Sequence, residues 1–238
     1  MPRKKISFGT DGWRSRTDVD FNPFNVRLVS GAIANYLLFL GKNKGIFIGY
    51  DGREGSRSFA KICAEVLSSL GIPSFLPPRP VTTPIAAFTA LHFSLDGAVM
   101  ITASHNPPIY NGIKFIPEYG GPASTEITSK IESLLPETPP KCKEYEQLER
   151  EGLISTLDPI PEYIKHLKSL LSVDGSTLKV ALDSMHGATS GIAERVFKEL
   201  GAETITVRGN IDPYFGGISP DPVPQNLEPL LAKVLSEK

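Results

Sequence analysis

Short apolar runs alternate with stretches of helical spacing along the chain. The runs GIFIGY (45–50), DGAVMITA (96–103) and LKVALD (178–183) are largely continuous rather than alternating with polar residues. Continuous apolar runs of this length are typical of strands buried on both faces, as in a parallel sheet. The sequence therefore predicts three buried strands.

Helical patterns lie near these strands. Apolar residues three and four positions apart predict a first helix that includes Val26, Val29, Ile33, Tyr36, Leu37 and Leu40. Further helices are predicted over 56–71, 82–93 and 123–135, the first of them capped by Ser56 or Ser58. Alternating strands and helices predict an α/β fold with helices on both faces of a sheet.

The chain divides into two parts on composition. Residues 136–153 lose periodicity and gain proline and charge, which is typical of a domain end. A short helix over 160–171 is expected to lead to a second unit that begins at Leu178. The predicted domains are 1–155, a three-layer α/β/α domain with a mixed, mostly parallel sheet, and 156–238, a linker helix with the incomplete start of a second α/β domain. The second unit has two predicted strands, LKVALD and ETITV (203–207). Because a sheet of two strands cannot bury both of its faces well, we expect the chain to be an N-terminal half or a fragment.

Composition excludes several classes of function. The 238 residues are 40% hydrophobic, with a net charge of −1 and a pI near 6.4, so no global field attracts nucleic acid or an anionic membrane. The two cysteines, Cys63 and Cys142, form no disulfide framework. No run approaches the roughly 18 apolar residues of a membrane span. We expect a cytoplasmic protein whose function depends on a local site.

The loop after the second predicted strand carries the first candidate residues. Ser104 lies at the carboxyl end of that strand, where open α/β sheets bind ligands. The hydrolase pattern G-x-S-x-G is absent and no Ser-His-Asp arrangement is apparent, so acyl transfer is not favoured. The simplest alternative is that Ser104 and Asn106 cap a turn and that His105 is an ordinary polar side chain.

Two glycine-containing loops add polar and cationic residues. FGTDGWRS surrounds Thr10, Asp11 and Arg14 with glycines, and GYDGREGS carries Arg53. We expect both loops to follow strands and to meet the serine loop at one edge of the sheet.

A third cation, Lys114, follows a predicted Asn111-Gly112 turn. Guanidinium groups bind phosphate oxygens bidentately, and the amides of glycine loops add further donors. Arg14, Arg53 and Lys114 near one serine therefore predict a phosphate site.

These segments resemble a known family. TASHNPPIYNGIKF is similar to the active-serine loop of the α-D-phosphohexomutases, which include phosphoglucomutases and phosphomannomutases. FGTDGWR resembles their F-G-T-[SD]-G-x-R segment, and GYDGREGS their G-x-D-x-R-x-x-S segment. The residues from Leu178 through FGGISPDPVPQNLEPL resemble the opening of the second domain. One departure is Ser15, where the family more usually has glycine.

The resemblance implies a mechanism. A phosphoserine at Ser104 would move a phosphoryl group between C1 and C6 of a hexose phosphate through a bisphosphorylated sugar. It implies catalytic and substrate-binding roles for Ser104, His105, Lys114 and Arg14. It implies structural or phosphate-supporting roles for Thr10, Asp11, Arg53 and Asn106, with Arg53 holding the serine loop.

The resemblance also implies one Mg²⁺ per site in the complete enzyme, with the phosphate on Ser104 as one ligand. The family's D-G-D-x-D-R metal loop does not occur here, and Asp183 and Asp221 are isolated from other carboxylates in the sequence. We expect Asp183, at the end of a predicted strand, to have a structural role. We expect the other metal ligands and the sugar-binding domains to lie beyond Lys238, so that this chain alone is inactive.

The expected partners are a hexose phosphate, a hexose 1,6-bisphosphate primer and the missing C-terminal domains of the same enzyme. The alternative is a non-catalytic phosphosugar-binding or scaffold fragment in which Ser104 is never phosphorylated. A dinucleotide-binding domain is disfavoured because G-x-G-x-x-G follows none of the predicted strands.

Overall fold

The computed structural model describes residues 6–171 and 175–237, which group into two compact units. The first unit contains the residues up to Asp51 together with Gly55–Ala103 and Ile109–Asp158. The second unit contains the rest of the described chain: Gly52–Glu54, Ser104–Pro108 and the residues from Pro159 onward.

A six-stranded sheet forms the centre of the first unit. Its strands are β1 Trp13–Arg16, β2 Ile46–Tyr50, β3 Ser74–Leu76, β4 Gly97–Ile101, β5 Tyr110–Pro117 and β6 Ile154–Thr156. They run in the order β1-β5-β4-β2-β3-β6. Strands β4, β2, β3 and β6 are mutually parallel, whereas β5 is antiparallel to both β1 and β4. The mixed, mostly parallel sheet is confirmed.

Helices cover both faces of this sheet. They are α1 Pro23–Phe39, α2 Ser56–Ser69, α3 Thr83–His92, α4 Thr125–Ser133 and α5 Tyr145–Arg150. Ile46 and Ile48 share one core with the buried residues of α1 and α2. Gly49 faces the opposite way, since a Cβ there would lie 3.4 Å from the Cβ of Ala86 in α3. The alternation of side chains along β2 thus separates the two helical layers.

The start of α2 differs from the prediction. Neither Ser56 nor Ser58 caps it; the N-cap is Gly55, in the left-handed region with φ 74°. Ser56 is the first helical residue, and its hydroxyl donates instead to Asp51 Oδ1 at 2.7 Å. The capping prediction was wrong because the Ser56 hydroxyl donates its hydrogen bond to a carboxylate at the end of β2.

The stretch 136–153, in which periodicity fails, still contains ordered elements. Helix α5 buries Leu148, and β6 follows it to pair in parallel with β3 at the edge of the sheet. The first unit accordingly continues through Asp158.

The second unit is smaller and less buried. It contains α6 Ile160–Leu170, β7 Lys179–Asp183, α7 Ala193–Glu199, β8 Glu203–Val207 and α8 Glu228–Ser236. Strands β7 and β8 pair in parallel. Helices α7 and α8 contain no buried residue. In the described parts of both units, no helix is long and apolar enough to cross a membrane.

Candidate functional site

The serine loop departs from regular structure at the serine itself. Strand β4 ends at Ile101, and Ser104, three residues later, is exposed and has φ 55°. A left-handed conformation costs a non-glycine residue about 1–3 kcal/mol and persists only where its surroundings fix it. The Ser104 hydroxyl lies 3.4 Å from His105 Nδ1. The backbone therefore presents an exposed hydroxyl beside an imidazole.

Arg53 fixes this loop through its backbone. Its guanidinium donates to the carbonyl oxygens of Ser104 and Asn106, both at 2.7 Å, and of Pro107 at 2.9 Å. Only 3% of Arg53 is exposed. A guanidinium carries five donors in one plane, so it can bind several carbonyls at once. Arg53, Ser104, His105 and Asn106 are thus brought together in the second unit.

A second group of predicted residues meets in the first unit. Asp11 lies between two cations, with Oδ1 3.3 Å from Lys114 Nζ and Oδ2 4.0 Å from Arg14 Nη2. Thr10 precedes Asp11 in the same exposed turn, which hydrogen bonds between Gly9 and Gly12 close. Asp11 is therefore an electrostatic partner of both predicted cations.

Glycine at position 12 permits this arrangement. Gly12 has φ 86°, and a Cβ on it would lie 2.1 Å from the carbonyl oxygen of Ile113 and 2.8 Å from Lys114 Cα. The turn can approach the backbone of β5 this closely only without a side chain. It precedes β1, so the expectation that this loop follows a strand was wrong.

The predicted Asn111-Gly112 turn is also wrong, because both residues lie inside β5. They pair with Ser15 and Arg14 of β1. Asn111 is fully buried and donates to Ser56 Oγ at 2.8 Å. An Asn-Gly pair favours a turn locally, but the buried amide and the two neighbouring strands fix an extended backbone.

Four residues make contacts that the sequence did not predict. Ser56 and Asn111 connect α2 and β5 to the end of β2, and Phe215 and Ser219 contact the serine loop within the second unit. All four depend on contacts between residues far apart along the chain. Local periodicity carries no information about such pairs.

Asp183 binds an arginine. Its carboxylate pairs with Arg208 through two hydrogen bonds, one of them 2.9 Å long from Nε, and accepts from the amide of Met185 at 2.9 Å. Its side chain is only 2% exposed. These contacts describe a structural ion pair at the ends of β7 and β8.

Thiol and metal chemistry receive no support from the described residues. Cys63 lies in the core, and burial raises the pKa of its thiol to about 12, which keeps the thiol protonated. Burial also raises the pKa of Cys142. Within residues 6–171 and 175–237, no group of three His, Cys, Asp or Glu side chains could hold a metal ion. The carboxylate, imidazole and thiol groups of these residues therefore do not by themselves form a Mg²⁺ site.

Comparison with known proteins gives matches over most of the chain. The model for the alpha/beta/alpha domain I of phosphoglucomutase/phosphomannomutase matches residues 5–140, and the model for domain II matches residues 161–238. Phosphoglucosamine mutase 1 of Shewanella amazonensis is 36% identical over 87% of this chain and 46% of its own length. A phosphoglucomutase of Staphylococcus saprophyticus is 33% identical over 82% of this chain and 37% of its own length.

A solved structure has the same fold. The crystal structure of a protein assigned as a phosphomannomutase from Thermus thermophilus has a TM-score of 0.90, with 31% identity over 99% of this chain and 53% of that one. The chain spans about half the length of these relatives, or less.

Proposed function

The chain belongs to the phosphoglucomutase/phosphomannomutase family, and on that premise we propose that it is the phosphoserine-bearing portion of a phosphohexomutase. Its substrate would be a hexose phosphate. The observation that carries the proposal is the exposed Ser104 hydroxyl, held in a left-handed backbone conformation by Arg53. Phosphoryl transfer depends mainly on positioning and on electrostatic stabilisation, and a fixed, exposed hydroxyl would supply the positioning.

The proposed first step transfers the phosphoryl group from Ser104 to the sugar. A sugar hydroxyl oxygen attacks phosphorus, a P–O bond to the sugar forms, and the P–O bond to Ser104 Oγ breaks. The hydroxyl proton ends on Ser104 Oγ, and the product is a hexose 1,6-bisphosphate. In the second step the other phosphoryl group returns to Ser104, so that the phosphate has moved between C1 and C6.

The proposed roles of the other predicted site residues follow from charge. A phosphoserine carries about −1.5 to −2 charges and meets a second phosphate, so cations must offset the repulsion. We assign Arg14 to binding of phosphate oxygens, and Lys114 to stabilising the developing charge or transferring the proton. His105, with Nδ1 3.4 Å from Ser104 Oγ, is assigned to orientation or proton transfer. Thr10, Asp11 and Asn106 are assigned to support of the phosphate or of the loops.

On this chain, the proposed ligand for Mg²⁺ is the phosphate carried by Ser104. A phosphoserine at position 104 would offer the metal an oxygen ligand, and the metal would neutralise charge on the phosphoryl oxygens. Within the described residues, no cluster of three ligating side chains could hold the metal alone.

The test is phosphorylation of Ser104. The protein is incubated with Mg²⁺ and glucose 1,6-bisphosphate, and phosphopeptides are mapped by mass spectrometry, alongside protein taken directly from cells. We expect phosphate on Ser104 and none in Ser104→Ala. Ser94→Ala is the matched control, because Ser94 is another exposed serine in the left-handed region, with φ 54°. Absence of phosphate on Ser104 under both conditions would favour the non-catalytic scaffold instead.

A second assay addresses the complete cycle. We propose that this chain, which spans about half the length of its relatives, does not isomerise hexose phosphates alone. Conversion of glucose and mannose phosphates is measured with Mg²⁺ and a bisphosphate primer. Sustained turnover would contradict this part of the proposal and leave the assignment of Ser104 intact.

A further inference from the structure

Four successive backbone carbonyls of the serine loop each accept a side-chain hydrogen bond. Arg53 binds those of Ser104, Asn106 and Pro107. The remaining carbonyl, that of His105, accepts from the Ser219 hydroxyl at 2.9 Å. All of these residues belong to the second unit. Two side chains thus hold the backbone of the loop at four consecutive positions.

The Arg53 guanidinium is itself held by Phe215. The guanidinium carbon lies 5.0 Å from the centre of the Phe215 ring, and Phe215 is buried. An arginine over an aromatic face is stabilised by the ring quadrupole, and the contact also fixes the plane of the guanidinium. The direction of its donors therefore depends on where Phe215 is placed.

The turn that carries Phe215 is tightly constrained. Phe215 has φ 54°, and Gly216 and Gly217 follow with φ 67° and 82°. The Asp212 carboxylate accepts from the amides of Tyr214 and Gly216 at 2.9 and 3.0 Å, and these bonds lower the pKa of that carboxyl. The ring is thus presented by a backbone with little freedom.

The backbone around Ser219 is held by hydrogen bonds from Asn226. Asn226 donates its side-chain amide to the carbonyl of Ser219 at 3.2 Å and to that of Asp221 at 2.8 Å. The carbonyl of Asn226 in turn accepts from Arg208 at 2.8 Å. A continuous set of hydrogen bonds connects the end of β8 to the serine loop.

We propose that Arg53, Phe215 and Ser219 act together as positioning residues that orient Ser104 for phosphoryl transfer. Carbonyl oxygens repel a dianionic phosphate, and each one bound by a protein donor can no longer turn toward it. A left-handed serine also needs surroundings that fix its backbone. The inference rests on the proposed function, because it concerns the same phosphoserine.

The test compares rates of Ser104 phosphorylation. Purified chains are incubated with glucose 1,6-bisphosphate at several concentrations, and the maximal rate and the half-saturating concentration are measured. We expect Ser219→Ala to lower the maximal rate about tenfold, in line with the loss of one hydrogen bond, at an unchanged half-saturating concentration. Ser219→Thr keeps the hydroxyl and should restore the rate. Arg53→Lys, which replaces a planar group with a point charge, should lower it further.

Ser236→Ala is the matched control, because this hydroxyl also donates to a backbone carbonyl, that of Lys233 at 2.8 Å, but away from the loop. Hydrogen exchange supplies a second measurement: the amides of Ser104, His105 and Asn106 should exchange faster in Ser219→Ala and not in Ser236→Ala.

The outcomes separate the two proposals. If the wild-type chain is never phosphorylated on Ser104, both the proposed function and the positioning role are wrong. If it is phosphorylated, and Ser219→Ala and Arg53→Lys match its rate and its exchange, the positioning role alone is overturned.

Discussion

Lys114 combines a largely covered side chain with an exposed and weakly held partner. Its ammonium lies 3.3 Å from Asp11, whose side chain is 74% exposed. Such a pair contributes at most about 1 kcal/mol to stability, so Lys114 can exchange the Asp11 carboxylate for a phosphate at little cost. This favours a functional rather than a structural lysine.

We expect Lys114→Met to slow phosphorylation of Ser104 from glucose 1,6-bisphosphate roughly a hundredfold, because the developing charge loses its cation. The midpoint of unfolding should change little. Lys42→Met is the control, since Lys42 also pairs with a partly exposed carboxylate, that of Glu118 at 3.1 Å. Equal rates in the two variants would contradict a role for Lys114.

Arg208 and Asp183 make the opposite kind of ion pair. Arg208 is 13% and Asp183 2% exposed, so removing the cation leaves a buried carboxylate without its charge partner. We expect Arg208→Met to lower the free energy of unfolding by about 3 kcal/mol, measured by urea denaturation.

The exposed pair of Arg195 with Glu199, at 3.1 Å, is the control for this variant. Arg195→Met should change the free energy of unfolding by less than about 0.5 kcal/mol. Adding Asp183→Asn to Arg208→Met should recover part of the loss. Equal effects of the two arginine variants would show that burial of the pair is unimportant.

At the scale of elements, the backbone of β5 packs so closely against its surroundings at Gly112 that there is no room for a side chain. A Cβ there would lie 2.6 Å from the carbonyl oxygen of Thr102 and 2.8 Å from Arg14 Cγ. A backbone oxygen cannot move as a side chain can, so the three strands β1, β5 and β4 would have to separate locally. Glycine is therefore needed for close packing and not for a turn.

We expect Gly112→Ala to lower the free energy of unfolding by about 1–3 kcal/mol. Gly9→Ala is the control, because the nearest atom to its added Cβ, the carbonyl oxygen of Gly12, lies at 3.8 Å. Thermal unfolding of both variants measures the difference. A Gly112→Ala protein as stable as Gly9→Ala would disprove the close contact.

At the scale of the whole molecule, burial is uneven. Every residue of β2 and β4 is buried, whereas no residue of β7 or β8 is. Backbone hydrogen bonds with few buried apolar contacts open more easily. The two units should therefore differ in local stability.

Hydrogen exchange followed by mass spectrometry measures this difference. We expect peptides that cover β7 and β8 to exchange at least about a hundredfold faster than those covering β2 and β4. This difference is expected in the protein without an added phosphosugar. Uniform protection of both sheets would mean that the second unit is more stable than its burial indicates.

Much of the fold follows from local signals in the sequence. The apolar runs of β2 and β4 and the spacing in α1 to α4 predicted these elements, because burial of a strand leaves a continuous apolar run and burial of one helix face leaves a periodic pattern. The run of β7 also predicted a strand, but the expectation that this strand is buried was wrong, because none of its residues is buried. The short elements α5, with 6 residues, and β6, with 3, were missed, since so few residues do not let a period show.

The residues of the candidate site divide in the same way. Contiguous residues were enough to show that Ser104 follows a buried strand and that the chain resembles the phosphohexomutases, because motif order and strand ends are local properties of a sequence. The tertiary structure was needed to show that Asn111 and Gly112 are extended, that Asp11 pairs with Lys114, and that Ser219 also holds the serine loop. The resemblance had already implied that Arg53 holds this loop, as its hydrogen bonds to the loop carbonyls show. Each of these features joins residues far apart along the chain or depends on neighbouring strands. The free energy of such contacts stabilises the protein only when the chain has folded.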